Sequence, residues 1–253
     1  MTRAHAAILI VAALTVAACS PGLASNSPSS ASRVVVDVYA AASLSSVFTQ
    51  LATAYESANP DVDIKLTFAG SSEVATQISE GAPADVFAAA DSTTMNLVSA
   101  EIVGESAIFA TNRLTIAVPA GNAAGVTGIA SLARPGLLVV MCAPSVPCGA
   151  AAARAQEAYG VSITPASEES NVTDVLGKVA SGEADAGLVY ATDIARARGV
   201  EEIALGELAL PATPYPIAVM GSGDAADAAQ GFVDFVLSNV GRAALADAGF
   251  GLP

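Results

Sequence analysis

Residues 34–72 read VVVDVYAAASLSSVFTQLATAYESANPDVDIKLTFAGSS, and this stretch sets the fold class. Its β-branched runs indicate buried strands, and its apolar residues at intervals of three and four indicate amphipathic helices. The pattern predicts a strand over 34–39, a helix over 44–58, a strand over 62–68, a helix over 73–80 and a strand over 85–90. The order βαβαβ is typical of a sheet with parallel strands.

The same arrangement occurs a second time further along the chain. Residues 71–91 and residues 171–193 both run from a polar start through a helix and a turn to an apolar strand that ends in Asp. Two similar lobes would produce this echo. The sequence therefore predicts an α/β protein of two lobes with mixed, mostly parallel sheets and an interlobe cleft. Ligands of such sheets bind beyond the carboxyl ends of the strands, at helix N-termini.

The N-terminal segment 1–19 is predicted to be a signal peptide outside the fold. Its apolar run, 6–18, is shorter than the ~20 residues of a membrane-spanning helix and fits a secretory signal. It closes on Val16-Ala17-Ala18-Cys19, which resembles a bacterial lipobox. We expect lipidation at Cys19, a flexible tether over 20–32, and an exported protein anchored to the outer face of a bacterial cell membrane. The alternative is an ordinary signal peptide with an incidental cysteine.

Composition excludes several classes of function. The net charge is −14 and the ten basic residues are scattered, which excludes a nucleic-acid binder. The only histidine is His5, inside the signal, so Ser-His-Asp and Cys-His catalysis are excluded. P-loop and serine-hydrolase motifs are absent as well. We expect neither an enzyme nor a cofactor, and a carboxylate-based hydrolase is the alternative from another class.

Two cysteines remain in the predicted mature chain, Cys142 and Cys148. In an exported protein such a pair favours a disulfide. A metal site is the rival interpretation, but it needs further ligands, and the mature chain has no histidine. We therefore expect no site for a free metal cation.

Two serines stand where strands give way to helices, Ser43 and Ser71. Each is a candidate N-cap, with its hydroxyl satisfying a backbone N–H at the start of a helix. Each could also help to hold an oxyanion, because helix N-termini offer free N–H groups and the positive end of a dipole. Fixed dipoles act locally, so an acidic protein could bind an anion in this way without Lys or Arg.

Six segments in order carry a resemblance to a known family. They are AAASL at 40–44, FAGSS at 68–72, GAPADVF at 81–87 with Ala90-Asp91, VPCG at 146–149, Asn171-Val172, and GLVYATD at 187–193. In sequence and order they resemble the periplasmic molybdate-binding proteins, the substrate-binding components of ABC importers. The resemblance covers 33–253.

The resemblance implies a type II periplasmic-binding-protein fold and a set of ligand contacts. Lobe 1 would take 33–112 plus 217–253, and lobe 2 would take 113–216. The family's ligand donors fall on hydroxyls of Ser43, Ser71 and Tyr190 and on the backbone N–H groups of Cys148 and Val172. Two positions depart from the family pattern: Gly70 stands where it has Ser, and Cys148 where it has Ala.

The resemblance also implies a function. A monomer would capture molybdate between its lobes, close on a hinge and deliver the anion to an ABC permease. Tungstate is not separable from molybdate, since both are tetrahedral dianions of nearly equal size. The alternatives are the same fold with another tetrahedral oxyanion, such as sulfate or phosphate, and a surface protein without a transport role. The core-packing alternatives for Tyr190 and Val172 also stay open.

Overall fold

The computed structural model describes residues 33–221 and 225–253, so the predicted signal peptide with Cys19 and the whole of the predicted tether lie outside the described residues. Strands and helices alternate along this part of the chain. The strands are β1 Val34–Ala41, β2 Val62–Ala69, β3 Val86–Ala88, β4 Ile102–Asn112, β5 Leu114–Pro119, β6 Val139–Cys142, β7 Ser167–Glu169, β8 Ala186–Tyr190, β9 Val200–Ile203 and β10 Thr213–Met220. The α-helices are α1 Ser45–Ala58, α2 Ser71–Ser79, α3 Ser92–Leu97, α4 Pro147–Tyr159, α5 Val172–Ala180, α6 Ala191–Arg196, α7 Ala226–Leu237 and α8 Asn239–Asp247.

The strands form two five-stranded sheets, one in each lobe of a type II fold. Their orders are β2-β1-β3-β10-β4 and β7-β6-β8-β5-β9. Both sheets are mixed, as predicted. In each, two pairings are parallel and two are antiparallel, so parallel pairings are half of the total and not the majority that the sequence suggested.

The chain passes between the sheets at two places in the described residues. The first lies between the end of β4 at Asn112 and the start of β5 at Leu114. The second precedes β10, which starts at Thr213 and belongs to the first sheet. The lobe boundary that the sequence predicts, between 216 and 217, therefore falls inside β10.

Helices cover the sheets through apolar faces. α1 buries Val47, Phe48, Leu51 and Tyr55, and the ring of Phe48 packs edge-on against Phe109 at 5.7 Å. Such aromatic pairs add to the free energy gained from burial alone. In the second sheet α5 lies so close to β8 that a Cβ on Gly187 would come within 2.7 Å of Val175 Cγ1. A residue larger than glycine there would push α5 away from the sheet.

One side-chain contact recurs in both lobes and explains the sequence echo. The backbone N–H of Asp37 donates to Asp85 Oδ2, and that of Leu138 donates to Asp185 Oδ2, both at 2.8 Å. Each carboxylate follows a turn and fixes the start of a strand against its parallel neighbour. The two aspartates are therefore structural. No helix in the described part of the chain is long and apolar enough to cross a membrane.

Candidate functional site

The five residues expected to bind the ligand surround one small cavity. Ser43, Ser71, Cys148, Val172 and Tyr190 all line it, and each is between 1% and 5% exposed. The centre of a water-sized sphere can occupy about 20 Å³ of this cavity, somewhat more than the ~10–15 Å³ that a single water needs. The cavity therefore fits a small polyatomic ion better than an organic substrate.

The contributing segments occupy matching positions in the two sheets. Ser43 follows β1 and Ser71 follows β2, while Cys148 follows β6 and Val172 follows β7. β1 with β2 and β6 with β7 are parallel pairs. Their carboxyl ends therefore face the cleft from opposite sides, which is where ligands of α/β sheets bind. Tyr190 is the last residue of β8.

Neither serine is a helix cap. Ser43 lies inside a short 3₁₀ helix, Ala42–Leu44, and the N-cap of α2 is Gly70, with no side-chain capping bond at either helix. The N-cap interpretation is therefore wrong. Instead, Ser71 Oγ accepts the backbone N–H of Ala90 at 3.0 Å. Because an oxygen that accepts this bond keeps its own hydrogen, the Ser71 hydroxyl remains free to donate into the cavity.

Two helices point their N-termini at the cavity from the second lobe. Val172 is the first residue of α5 and Cys148 the second of α4, after Pro147. The first N–H groups of a helix have no partner within it, and the dipole makes this end positive. The adjacent Asn171 caps α5 by accepting the N–H of Asp174 at 3.1 Å, which leaves the Val172 N–H uncapped by that side chain.

A disulfide holds one of these N-termini. Cys142 at the end of β6 and Cys148 in α4 are joined, with their sulfurs 2.07 Å apart and their Cα atoms 5.7 Å apart. The bridge ties the first turn of α4 to the sheet. It therefore fixes the position of the Cys148 backbone N–H at the wall of the cavity.

Tyr190 presents an unpaired hydroxyl. The side chain is 1% exposed, and its oxygen has no hydrogen-bond partner in the described residues. A buried hydroxyl without a partner costs about 1–3 kcal/mol, which a ligand oxygen in the cavity would recover. Burial, assisted by Tyr215 and the carboxylates of Asp193 and Asp91, holds the pKa of Tyr190 well above its usual range. The group therefore keeps its proton and acts as a donor.

The lining of the cavity is neutral. It contains no Lys, Arg, His, Asp or Glu among the described residues. The nearby carboxylate of Asp193 is fully buried and paired with Arg196 at 2.6 Å. Nor do the described residues contain a cluster of side chains able to hold a metal ion. The cavity thus offers hydroxyl and amide hydrogens and is suited to an anion.

Sequence reasoning missed three groups at or behind the cavity wall. They are the Ala90 N–H, which holds Ser71, and the side chains of Tyr215 and Asn112, which lie behind Ser43. No motif marked Tyr215, because it stands between two prolines in a stretch that did not look like a strand. Its aromatic ring followed by an apolar run was the only available signal.

The two lobes touch beside the cavity. Ser72 Oγ of the first lobe donates to the Ser145 carbonyl of the second at 3.1 Å. A Cβ on Gly70 would lie 2.4 Å from the Ser170 carbonyl oxygen, so the backbones are in direct contact there. The structure is therefore closed around the cavity.

A two-lobed fold that closes over a neutral, donor-lined cavity defines a binding protein for a small anion. Comparison with known proteins identifies the family to which the chain belongs. The chain matches the family described as bacterial extracellular solute-binding protein over residues 36–251. It is 42% identical over 250 residues to the molybdate-binding protein ModA of Mycobacterium tuberculosis, covering 98% of this chain and 95% of that one. The chain belongs to this solute-binding family and, within it, to the periplasmic molybdate-binding proteins.

Solved structures agree on the fold. The periplasmic molybdate-binding protein of Azotobacter vinelandii superposes with a TM-score of 0.71 at 21% identity, over 86% of this chain and 99% of that one. The sulfate-binding protein SubI of M. tuberculosis superposes with a TM-score of 0.72 at 18% identity, over 86% of both chains. The same architecture is therefore shared by proteins named for different oxyanions.

Proposed function

We propose that this protein captures molybdate, and tungstate as well, in the cavity between its lobes. The observation that carries the proposal is the buried, unpaired Tyr190 hydroxyl, which faces two serines and two helix N-termini across a neutral cavity. Donors without acceptors suit a fully deprotonated tetrahedral dianion. The identity to ModA over nearly the whole chain supports molybdate as that dianion.

The donor set also predicts what is rejected. A protonated oxyanion such as hydrogen phosphate would direct its own hydrogen at N–H and O–H groups and find no acceptor. Sulfate is a fully deprotonated dianion, so only its smaller size separates it from molybdate. A sulfate-binding protein is therefore the second candidate, favoured by the equal likeness of fold.

Calorimetric titration of the anion-free protein tests this function. Molybdate and tungstate should bind with similar affinity, sulfate more weakly, and hydrogen phosphate not measurably. Ser43→Ala and Ser71→Ala should each lower molybdate affinity about tenfold to hundredfold, because a bond to a charged acceptor contributes ~1.5–3 kcal/mol. Ser57→Ala is the matched control, since Ser57 is exposed on α1 and bonds only to Thr53 in its own helix. Tighter binding of sulfate than of molybdate would replace the proposal with the second candidate.

The salt dependence of molybdate affinity distinguishes a site held by neutral dipoles from a site held by charged side chains. With no charged side chain among the described residues of the lining, affinity should change little across a tenfold range of chloride concentration, since no long-range ion pair is screened. A steep loss of affinity with salt would show that a basic side chain holds the anion.

We further propose that the protein is an ABC importer component without enzymatic activity, acting as a monomer. Lobe 1 is proposed to comprise 33–112 and 213–253, with the start of β10 moved to it, and lobe 2 the residues between. Opening of the lobes would deliver the anion to the permease. Molybdate-dependent growth that survives deletion of this protein in an otherwise import-deficient strain would argue against delivery.

Anchoring to the outer face of the cell membrane is proposed through Cys19. Several acyl chains hold a protein firmly where a single chain holds it only marginally. Cys19→Ala should move the protein from the membrane fraction to the soluble fraction of lysed cells. Retention of the variant in washed membranes would contradict a lipid anchor.

A further inference from the structure

Tyr215 lies directly behind the cavity wall. Its side chain is fully buried, and its ring packs edge-on against Tyr190 at 5.9 Å, and against Phe109 and Phe250. The hydroxyl is 3.0 Å from Ser43 Oγ and 3.4 Å from Asn112 Nδ2. Three neighbouring rings thus hold the Tyr215 hydroxyl between an amide and a serine that lines the cavity.

The amide of Asn112 has only one possible orientation. Its Oδ1 lies 3.0 Å from the backbone N–H of Arg113, and a backbone N–H can only donate. The oxygen must therefore face Arg113. The NH₂ group then faces Thr192 Oγ1 at 2.8 Å and the Tyr215 hydroxyl, and an amide nitrogen can only donate to both.

This orientation favours one direction for the bonds that follow. The Tyr215 oxygen accepts from Asn112. In its 3.0 Å contact with Ser43 either hydroxyl could donate, and with Tyr215 as the donor its buried hydrogen has an acceptor. Burial raises the pKa of Tyr215, so the hydroxyl retains that hydrogen. Ser43 Oγ then accepts from Tyr215, and its own hydrogen is left for the cavity. The backbone N–H of Ala90 donates to Ser71 Oγ in the same way, which leaves the Ser71 hydrogen for the cavity. Both serines therefore act as donors toward the cavity, each held by a different partner.

We propose that Asn112 and Tyr215 are positioning residues that orient the Ser43 hydroxyl as a donor and so help to exclude protonated oxyanions. The inference rests on the proposed function, because it needs Ser43 to contact the anion. Without Tyr215, the Ser43 hydroxyl could rotate and either donate or accept. Molybdate would then lose a preoriented donor, and hydrogen phosphate would gain an acceptor.

The test is a double-mutant cycle on molybdate affinity, measured by calorimetry for the wild type, Tyr215→Phe, Ser43→Ala and the double variant. Tyr215→Phe keeps the ring and its packing. It should weaken molybdate binding about threefold to tenfold, the range for one net hydrogen bond, and raise the relative affinity for hydrogen phosphate. In the Ser43→Ala background the same substitution should change affinity less than about twofold, since coupled residues are not additive.

Each result has one meaning. An equal loss of molybdate affinity in both backgrounds, or no loss in either, overturns the relay, that is, the chain of hydrogen bonds from Asn112 through Tyr215 to Ser43. Tyr215 would then be a core-packing residue. If Ser43→Ala alone leaves molybdate binding unchanged, the proposed ligand site fails first, independently of the relay.

Should Tyr215→Phe unfold, the nearly isosteric Asn112→Asp replaces it in the cycle. The carboxylate introduced at position 112 would accept from the Tyr215 hydroxyl, so Tyr215 could no longer donate to Ser43. Molybdate affinity should therefore fall more when Ser43 is present than in the Ser43→Ala background. Equal losses would again overturn the relay.

Discussion

Gly70 controls how closely the lobes can approach, and Gly70→Ala is the sharpest test of the closed structure. The glycine has φ −60° and ψ 134°, which any residue can adopt, so alanine introduces no backbone strain. The added Cβ would lie 2.4 Å from the Ser170 carbonyl oxygen. That oxygen belongs to the other lobe, two residues before Val172. The substitution should therefore oppose closure and leave each lobe intact.

The size of the effect follows from the geometry. A Cβ essentially never comes within 3.0 Å of another atom, so the gap must widen by at least 3.0 − 2.4 = 0.6 Å. A hydrogen bond across the cleft that starts near ~2.9 Å would reach about 3.5 Å, the limit of such bonds. The Val172 N–H, nearest to the clash, is the donor most affected. Loss of one bond to a charged acceptor weakens binding by ~1.5–3 kcal/mol, or about tenfold to hundredfold.

Calorimetry with molybdate measures the loss, and thermal unfolding of the anion-free protein should show little change. Gly177→Ala is the matched control, because Gly177 is exposed in α5 and its Cβ would meet no atom within 4 Å. It should bind molybdate like the wild type and unfold slightly higher, since alanine favours a helix by ~1 kcal/mol over glycine. If Gly70→Ala binds within about twofold of the wild type, the lobes do not meet at Ser170 in the bound state.

Three further predictions concern the cavity and its supports. Tyr190→Phe should lower molybdate affinity about tenfold to hundredfold in calorimetry with little change in the melting temperature, and an unchanged Kd would restore the core-packing interpretation. Replacing Cys142 and Cys148 by serine should lower the free energy of unfolding in urea by roughly 2–2.5 kcal/mol; two free thiols in denatured, unreduced wild type would contradict the bridge. The hydrogen bond from Lys178, the main cause, keeps the pKa of Glu169 below its ordinary value, so this pair stabilises the protein above ~pH 4.3 and less as pH falls through the folded-state pKa. Lys178→Met should therefore cost about 0.5–1 kcal/mol at neutral pH and progressively less as pH falls through the folded-state pKa of Glu169, and a cost that does not diminish in urea titrations at low pH would show that the loss is one of packing.

Strands with a strong local pattern could be predicted from the sequence. β8, Ala186–Tyr190, is the apolar strand expected within 171–193, and every residue in it is buried. β4, Ile102–Asn112, was missed, since it is an edge strand whose first half is largely exposed and contains Gly104. Its apolar residues have no regular alternation, and its place depends on pairing with a strand a hundred residues later.

β10 shows why part of the site was also missed. Prolines at 214 and 216 obscure the first half of this strand in the sequence, since proline cannot donate to a neighbouring strand. Here they are tolerated because β3 pairs only with the later part of β10, from Ile217. The sequence motifs could locate the groups that face the cavity, Ser43 and Tyr190 among them. They could not locate Tyr215 and Asn112, whose meeting depends on the tertiary path of two segments between the lobes.

The closure of the cavity has a kinetic consequence. The five proposed ligand residues that line it are almost wholly buried, and the Gly70–Ser170 contact and the Ser72–Ser145 bond lie beside it. We predict that an anion held among these residues leaves when the lobes part. The residence time of the anion is then set by how often the lobes open and not by diffusion out of the cavity. A membrane partner that speeds unloading must separate the lobes, and substitutions at Ser72 should shorten the residence time while removing no proposed ligand donor.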